Sequence, residues 1–98
     1  MDYNQNLDTL YDLFEEDRIL NDKKGKIGIV VNCTHGQMNI QRCCKVTMFY
    51  NYQTAFTVQQ CEMTENADTL AERTIEFAVN EYRKKRDEIW NLINSKLQ

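Results

Sequence analysis

The sequence predicts an α+β fold in the order α-β-β-β-α: a three-stranded antiparallel meander covered on one face by a long C-terminal helix and a short N-terminal helix. Three observations carry this. Residues 65–98 contain neither Pro nor Gly and hold apolar residues at helical spacing. The stretch from Ile27 to Cys33 alternates with a period of two, and two short polar turns then separate three such stretches.

The C-terminal run has its capping signals at Thr64, Asn66 and Asp68, with Glu65, Asp68 and Glu72 near the positive end of the helix dipole. Ala67, Ala71, Ile75, Ala78, Tyr82, Ile89, Leu92 and Ile93 fall on one side at 100° per residue, a stripe wide enough for a core. The charge run Arg83-Lys84-Lys85-Arg86-Asp87-Glu88 interrupts it, and Lys85 projects from the stripe. An unbroken helix here would be about 50 Å long, against about 33 Å for a ten-residue strand. Its end must therefore overhang the body or fold back at a hinge near Arg86. An overhang exposes Ile89, Trp90, Ile93 and Leu97 as an adhesive patch, and the expectation is that a second copy covers it in a homodimer.

At the other end, Asn4 or Asn6 is placed to cap a helix running to Ile19 or Leu20. Leu7, Leu10, Tyr11 and Phe14 form its apolar face. Asp8, Asp12, Glu15 and Glu16 gather on the opposite side, and residues 1–22 carry seven acids against Arg18 alone. A solvated helix face accounts for such a strip. The functional alternative is docking into a basic groove on a partner, including one that normally holds nucleic acid.

Between the helices, Asn21 to Gly25 is a turn and residues 26–34 a strand, with Gly28 marking a close approach or a bulge. His35-Gly36-Gln37 turns into a second strand, Met38 to Phe49. Asn51-Tyr52 turns into a third, Gln53 to Glu62. Pairing His35 with Met38 sets Ile29 opposite Cys44 and Ile27 opposite Val46. For Phe56 and Val58 to join the face of Ile27, Ile29, Val31, Cys44, Val46 and Met48, the second turn needs an odd loop or a bulge. Asn39, Gln41, Cys43, Lys45 and Thr47 form the outer, solvated face.

Ninety-eight residues make one domain, 1–98, of ordinary soluble composition. A net charge of −3 argues against a chain whose main task is holding nucleic acid. No apolar stretch approaches the length of a membrane span, and the polar start Met1 to Gln5 is unlike a secretory signal, so the expected location is cytoplasmic. In that compartment Cys33, Cys43, Cys44 and Cys61 are expected as reduced thiols.

The chemistry-bearing residues gather into no site. The cysteines and His35 fit no zinc spacing, and this register holds Cys33 and Cys44 about 13 Å apart, so no metal is expected. Nucleophilic catalysis by Cys33 with His35 lacks a group to orient the imidazole. The three glycines match no phosphate-binding fingerprint. No catalytic residue and no cofactor are expected. The expectation is a small non-enzymatic interaction module. Ten Asn and no Pro suit an AT-rich genome, and a phage or mobile-element inhibitor of anti-CRISPR type would dock on a host defence or nucleic-acid enzyme in the host cytoplasm. One alternative is an accessory single-strand nucleic-acid-binding protein using Tyr50, Tyr52, Lys84 and Arg86. A second is a small enzyme dependent on Cys33.

Overall fold

A computed structural model describes residues 3–35, 41–63 and 66–97, and of residues 3, 4 and 35 the backbone alone. Helix α1 (Tyr3–Leu20) is followed by strands β1 (Ile27–His35), β2 (Gln41–Tyr50) and β3 (Gln53–Met63), then helix α2 (Ala67–Lys96). The strands form one antiparallel sheet in the order β1-β2-β3. Both helices lie on the same face, so the order α-β-β-β-α and the α+β class are those the sequence predicts.

Alternation along β2 sets the two faces. Cys44, Val46, Met48 and Tyr50 are buried beneath the helices, whereas Cys43, Lys45, Thr47 and Phe49 turn outward. Thr47 and Thr57 face each other across that outer surface, their hydroxyls 3.3 Å apart. The bulge required by Phe56 and Val58 is present. Met48 pairs with Phe56 while Phe49 pairs with Thr54, so Ala55 is the extra residue.

The β1–β2 register differs from the expected one by four residues. Ile29 pairs with Met48, Ile27 with Tyr50 and His35 with Arg42. Four is an even number, so every side chain keeps its expected face. Met38, Asn39 and Ile40, expected in β2, lie outside the described residues, as does the turn at Gly36-Gln37. The changed register sets Cys33 opposite Cys44, and the two form a disulfide. Cys43 pairs with Cys61 in a second one. Both expectations about the cysteines, reduced thiols and a 13 Å separation, are therefore corrected: all four are bonded.

Gly28 marks neither a close approach nor the bulge, since a Cβ there would meet nothing within 4 Å. The close approach is at Gly25. Its N–H donates to the Tyr50 hydroxyl at 2.9 Å, and a Cβ would sit under 3 Å from the Tyr50 ring. The β2–β3 turn is a two-residue one in which Asn51 and Tyr52 both have positive φ, 51° and 68°. That geometry matches the twist of the strands and suits Asn, but it strains tyrosine.

α1 begins earlier than either Asn4 or Asn6, and Asn6 is buried in its first turns. α2 is capped by Asn66, whose side chain accepts from the Thr69 N–H at 3.1 Å. It runs without a break through the charge run. Its 30 residues span about 45 Å, which is the long axis of the molecule, 45 × 26 × 21 Å. Its far end overhangs the sheet, but without the expected adhesive patch. The helix does not hinge, and its end is not bare, because α1 packs across it. Ile89, Trp90 and Ile93 are buried in the chain's own core and Leu97 packs against that core, so the expected self-association patch is corrected. The apolar neighbour that these residues need is Phe14 and Leu10 of α1, not another copy.

Two outcomes test this account. Tyr52→Gly, which restores the preferred Asn-Gly turn at an exposed site, is expected to raise unfolding stability by about 1 kcal/mol in urea titrations. Replacing both Cys43 and Cys61 by serine is expected to lower it by about 3 kcal/mol, from the chain entropy of an 18-residue separation.

Candidate functional site

Asp17 stands on the apolar face of α1, three residues after Phe14, and its side chain is almost wholly buried. A lone carboxylate there would be strongly unfavourable, and three groups of α2 compensate it. The Tyr82 hydroxyl donates to Oδ2 at 2.7 Å. Arg86 Nε donates to the same oxygen at 3.1 Å, and Arg86 Nη2 to Oδ1. Trp90 Nε1 then donates to the Tyr82 oxygen at 2.7 Å. Tyr82, Arg86 and Trp90 are four residues apart, one helical turn each, so a single face of α2 presents them together.

Aromatic rings surround this chain of hydrogen bonds. Phe14 lies 5.8 Å from Tyr82 and 5.4 Å from Trp90 by ring centroid, and Tyr50 and Phe56 close the group edge-on from the sheet. Burial, and next the Asp17 carboxylate, push the Tyr82 hydroxyl well above the usual tyrosine range. The same carboxylate raises the Arg86 guanidinium. The outer edge of that guanidinium reaches a surface hollow beside Leu20, Asn21, Asp87 and Asn91.

This network also accounts for the charge run. Arg86 is spent on Asp17, while Lys84 and Lys85 both pair with Glu81 on the helix surface. For the nucleic-acid reading, Arg86 is already engaged by Asp17 although its side chain is 40% exposed, and Tyr50 is buried against Gly25 and Trp90. Of the four residues in that reading, Tyr52, in the β2–β3 turn, and Lys84, on α2, stay exposed.

The acidic strip is divided by its surroundings. Glu15 is half-buried and held in the fork of Arg18, with Arg18 Nε donating to Oε2 at 3.0 Å and Nη2 to Oε1. That hydrogen-bonded pairing keeps its carboxyl below the usual range. Asp8, Asp12 and Glu16 are exposed and have no ion-pair partner among the described residues. Ile19, 63% exposed, shares their face, and Tyr11, at the border of the apolar face, is 44% exposed. At 100° per residue Ile19 falls between Asp8 and Asp12 in azimuth, about three turns beyond the first and two beyond the second along the helix.

Cys33 carries no free thiol, because it is bonded to Cys44, and the His35 side chain lies outside the described residues. Among the described residues, no group of three or more His, Cys, Asp and Glu side chains is placed to hold a metal ion. No helix among them is long and apolar enough to cross a membrane. Sequence reasoning missed Asp17 and Thr74, the latter fully buried with its hydroxyl donating to the Leu70 carbonyl at 2.7 Å. For Asp17 there was a signal: an acid in register with Leu10 and Phe14 must find a donor. No protein-family model, curated protein or solved structure matches the chain.

The raised Tyr82 value has a sign. The folded state keeps the phenol proton more firmly than the unfolded chain does. Its contribution is therefore complete below the ordinary value of 10.0 and declines as pH rises past it. Between about pH 10 and 11, wild type is expected to lose stability more steeply than Tyr82→Phe, by a slope approaching 1.4 kcal/mol per pH unit. Urea midpoints across that range measure it, and equal slopes would remove the assignment.

Proposed function

We propose that this chain is a non-enzymatic protein-interaction module that docks through the outward face of α1. The observation that carries the reading is the outward strip of three carboxylates with no ion-pair partner among the described residues, Asp8, Asp12 and Glu16, which runs along α1 to the exposed Ile19 near its C-terminal end. An apolar anchor at the end of a charged strip gives an interface both affinity and orientation. The opposite face of α1 is held to α2 by Asp17 and its partners, so the helix meets a partner already ordered and loses little entropy on docking.

The complementary surface is a basic groove on a protein, of the kind that normally holds nucleic acid. Occupying such a groove blocks it, which is the action of a phage or mobile-element inhibitor on a host defence or nucleic-acid enzyme. The cytoplasm of the host cell belongs to this proposal, and the disulfides set a condition on it. Cytoplasmic thiol pools oppose such bonds, so a module working there relies on the strand ladder and the helix contacts for its shape. Single-strand binding is the weaker reading, with Tyr50 buried and Arg86 paired with Asp17. The cysteine-dependent enzyme would need Cys33 released from Cys44.

The test is capture from a candidate host with the wild-type chain and with a D8N/D12N/E16Q variant, followed by binding measurements on the purified partner. The triple variant is expected to bind about tenfold or more weakly and with a shallower salt dependence. Ile19→Ala is expected to weaken binding without changing the salt dependence. Retention of the same partner at equal affinity by the triple variant would place the docking face elsewhere.

A further inference from the structure

β1 is the least covered element of the fold. α2 lies over β2 and β3 and touches β1 little. Ile27, Ile29 and Val31 all point to the helix side, yet none is fully buried, and Val30 on the outer side is 51% exposed. β1 is also an edge strand, and its free edge can be specified. Cys33 and Cys44 have Cα atoms only 4.0 Å apart, the close spacing of a non-hydrogen-bonded antiparallel pair. One step before the strand, in the opposite phase, the Lys26 carbonyl accepts from the Asn51 N–H. The N–H and C=O groups of Ile27, Ile29, Val31 and Cys33 therefore point away from β2, toward the open edge.

Proteins blunt such edges with charge, Pro, bulges or a covering element. β3, the other edge, has a bulge at Ala55, polar side chains at Thr57, Gln59 and Gln60, and Glu62 paired with Arg73 of α2. β1 from Ile27 to Thr34 has none of these devices: no charge, no Pro and no bulge.

We infer that β1 pairs antiparallel with β1 of a second copy of this chain, joining two three-stranded sheets into one of six strands. Full overlap of the nine-residue strand puts the two-fold axis at Val31. Val31 then faces Val31, and Ile29 of each copy faces Cys33 of the other, all of them residues whose backbone groups are free. A two-fold contact closes after two copies, whereas pairing β1 on β3 would grow without limit. Because the axis stands perpendicular to the sheet, both helix layers fall on one side, and Ile27, Ile29 and Val31 of the two copies form a shared apolar seam.

Charge selects the same direction. Lys24 lies just before β1, on the side where α1 packs, and Asp68 and Glu72 of α2 border Val31 and Cys33 near its end. An antiparallel pair brings the basic end of one copy to the acidic end of the other, whereas a parallel pair would set like against like. This interface is separate from the outward face of α1 and does not depend on the function proposed for that face.

Val31→Pro tests the pairing at the axis. The N–H it removes points away from β2 and has no partner among the described residues, and an extended edge position accepts proline. Sedimentation of the wild type is expected to show a monomer–dimer equilibrium, and the variant is expected to raise its dissociation constant about tenfold or more. Amide hydrogen exchange on the unmodified chain gives a second readout that no folding defect can confuse. The amides of Ile29, Val31 and Cys33 are expected to exchange more slowly as concentration rises, while the rest of the sheet is unchanged. A chain that stays monomeric to about 1 mM would overturn the inference. So would a dimer whose Ile29 and Val31 amides exchange at one rate at every concentration.

Discussion

The fold depends on one buried carboxylate. Asp17 faces the core from α1, and α2 answers it with Tyr82, Arg86 and, through Tyr82, Trp90. Removing water from a carboxylate is costly, and a misplaced partner would leave it uncompensated. Only one axial position of α2 against α1 sets Arg86 and Tyr82 both within reach. Apolar packing of Leu10, Phe14, Ile89 and Ile93 would tolerate small slips along the helix axis. The hydrogen bonds remove that freedom, and the value of the network therefore lies in register as much as in stability.

This placement determines what each helix leaves exposed. With Asp17 inward, the rotation of α1 is fixed, and Asp8, Asp12, Glu16 and Ile19 must face out together. With Arg86 bonded to Asp17, the charge run on α2 becomes an ordinary surface turn with one basic residue neutralised. The last turns of α2 then extend past the sheet without becoming adhesive, since α1 occupies the space beneath them. A short helix laid across the overhang solves the length mismatch that the strands alone could not.

What was legible in the sequence follows from which quantities periodicity fixes. The period-two pattern assigned each strand residue to its face, and the parity of Phe56 and Val58 required a bulge that is present beside Ala55. Parity does not fix register, which depends on loop length. The assumed tight turn at His35 moved β1 by four residues, harmlessly for the faces but decisively for Cys33 and Cys44. Four cysteines on adjacent strands were a usable signal, because the register that pairs Cys33 with Cys44 is the observed one. The acidic strip was visible as a pattern on a wheel. Its division into a paired Glu15 and three free acids was not, since that depends on where Arg18 reaches. The fate of the C-terminal patch was likewise hidden, because helical spacing shows which residues need cover and not which element supplies it.

Cys43 and Cys44 are neighbours on the central strand, and their bonds run to different strands on opposite faces. The chain is thereby closed into two covalent rings that share a short overlap. A protease that nicks the backbone between Cys33 and Cys44 would release no fragment, because the severed ends stay joined through sulfur. A ring-shaped unfoldase pulling on either terminus would meet a doubled chain at its pore instead of a single thread. As long as both bonds persist, the molecule resists dismantling by pulling or clipping, whatever its equilibrium stability.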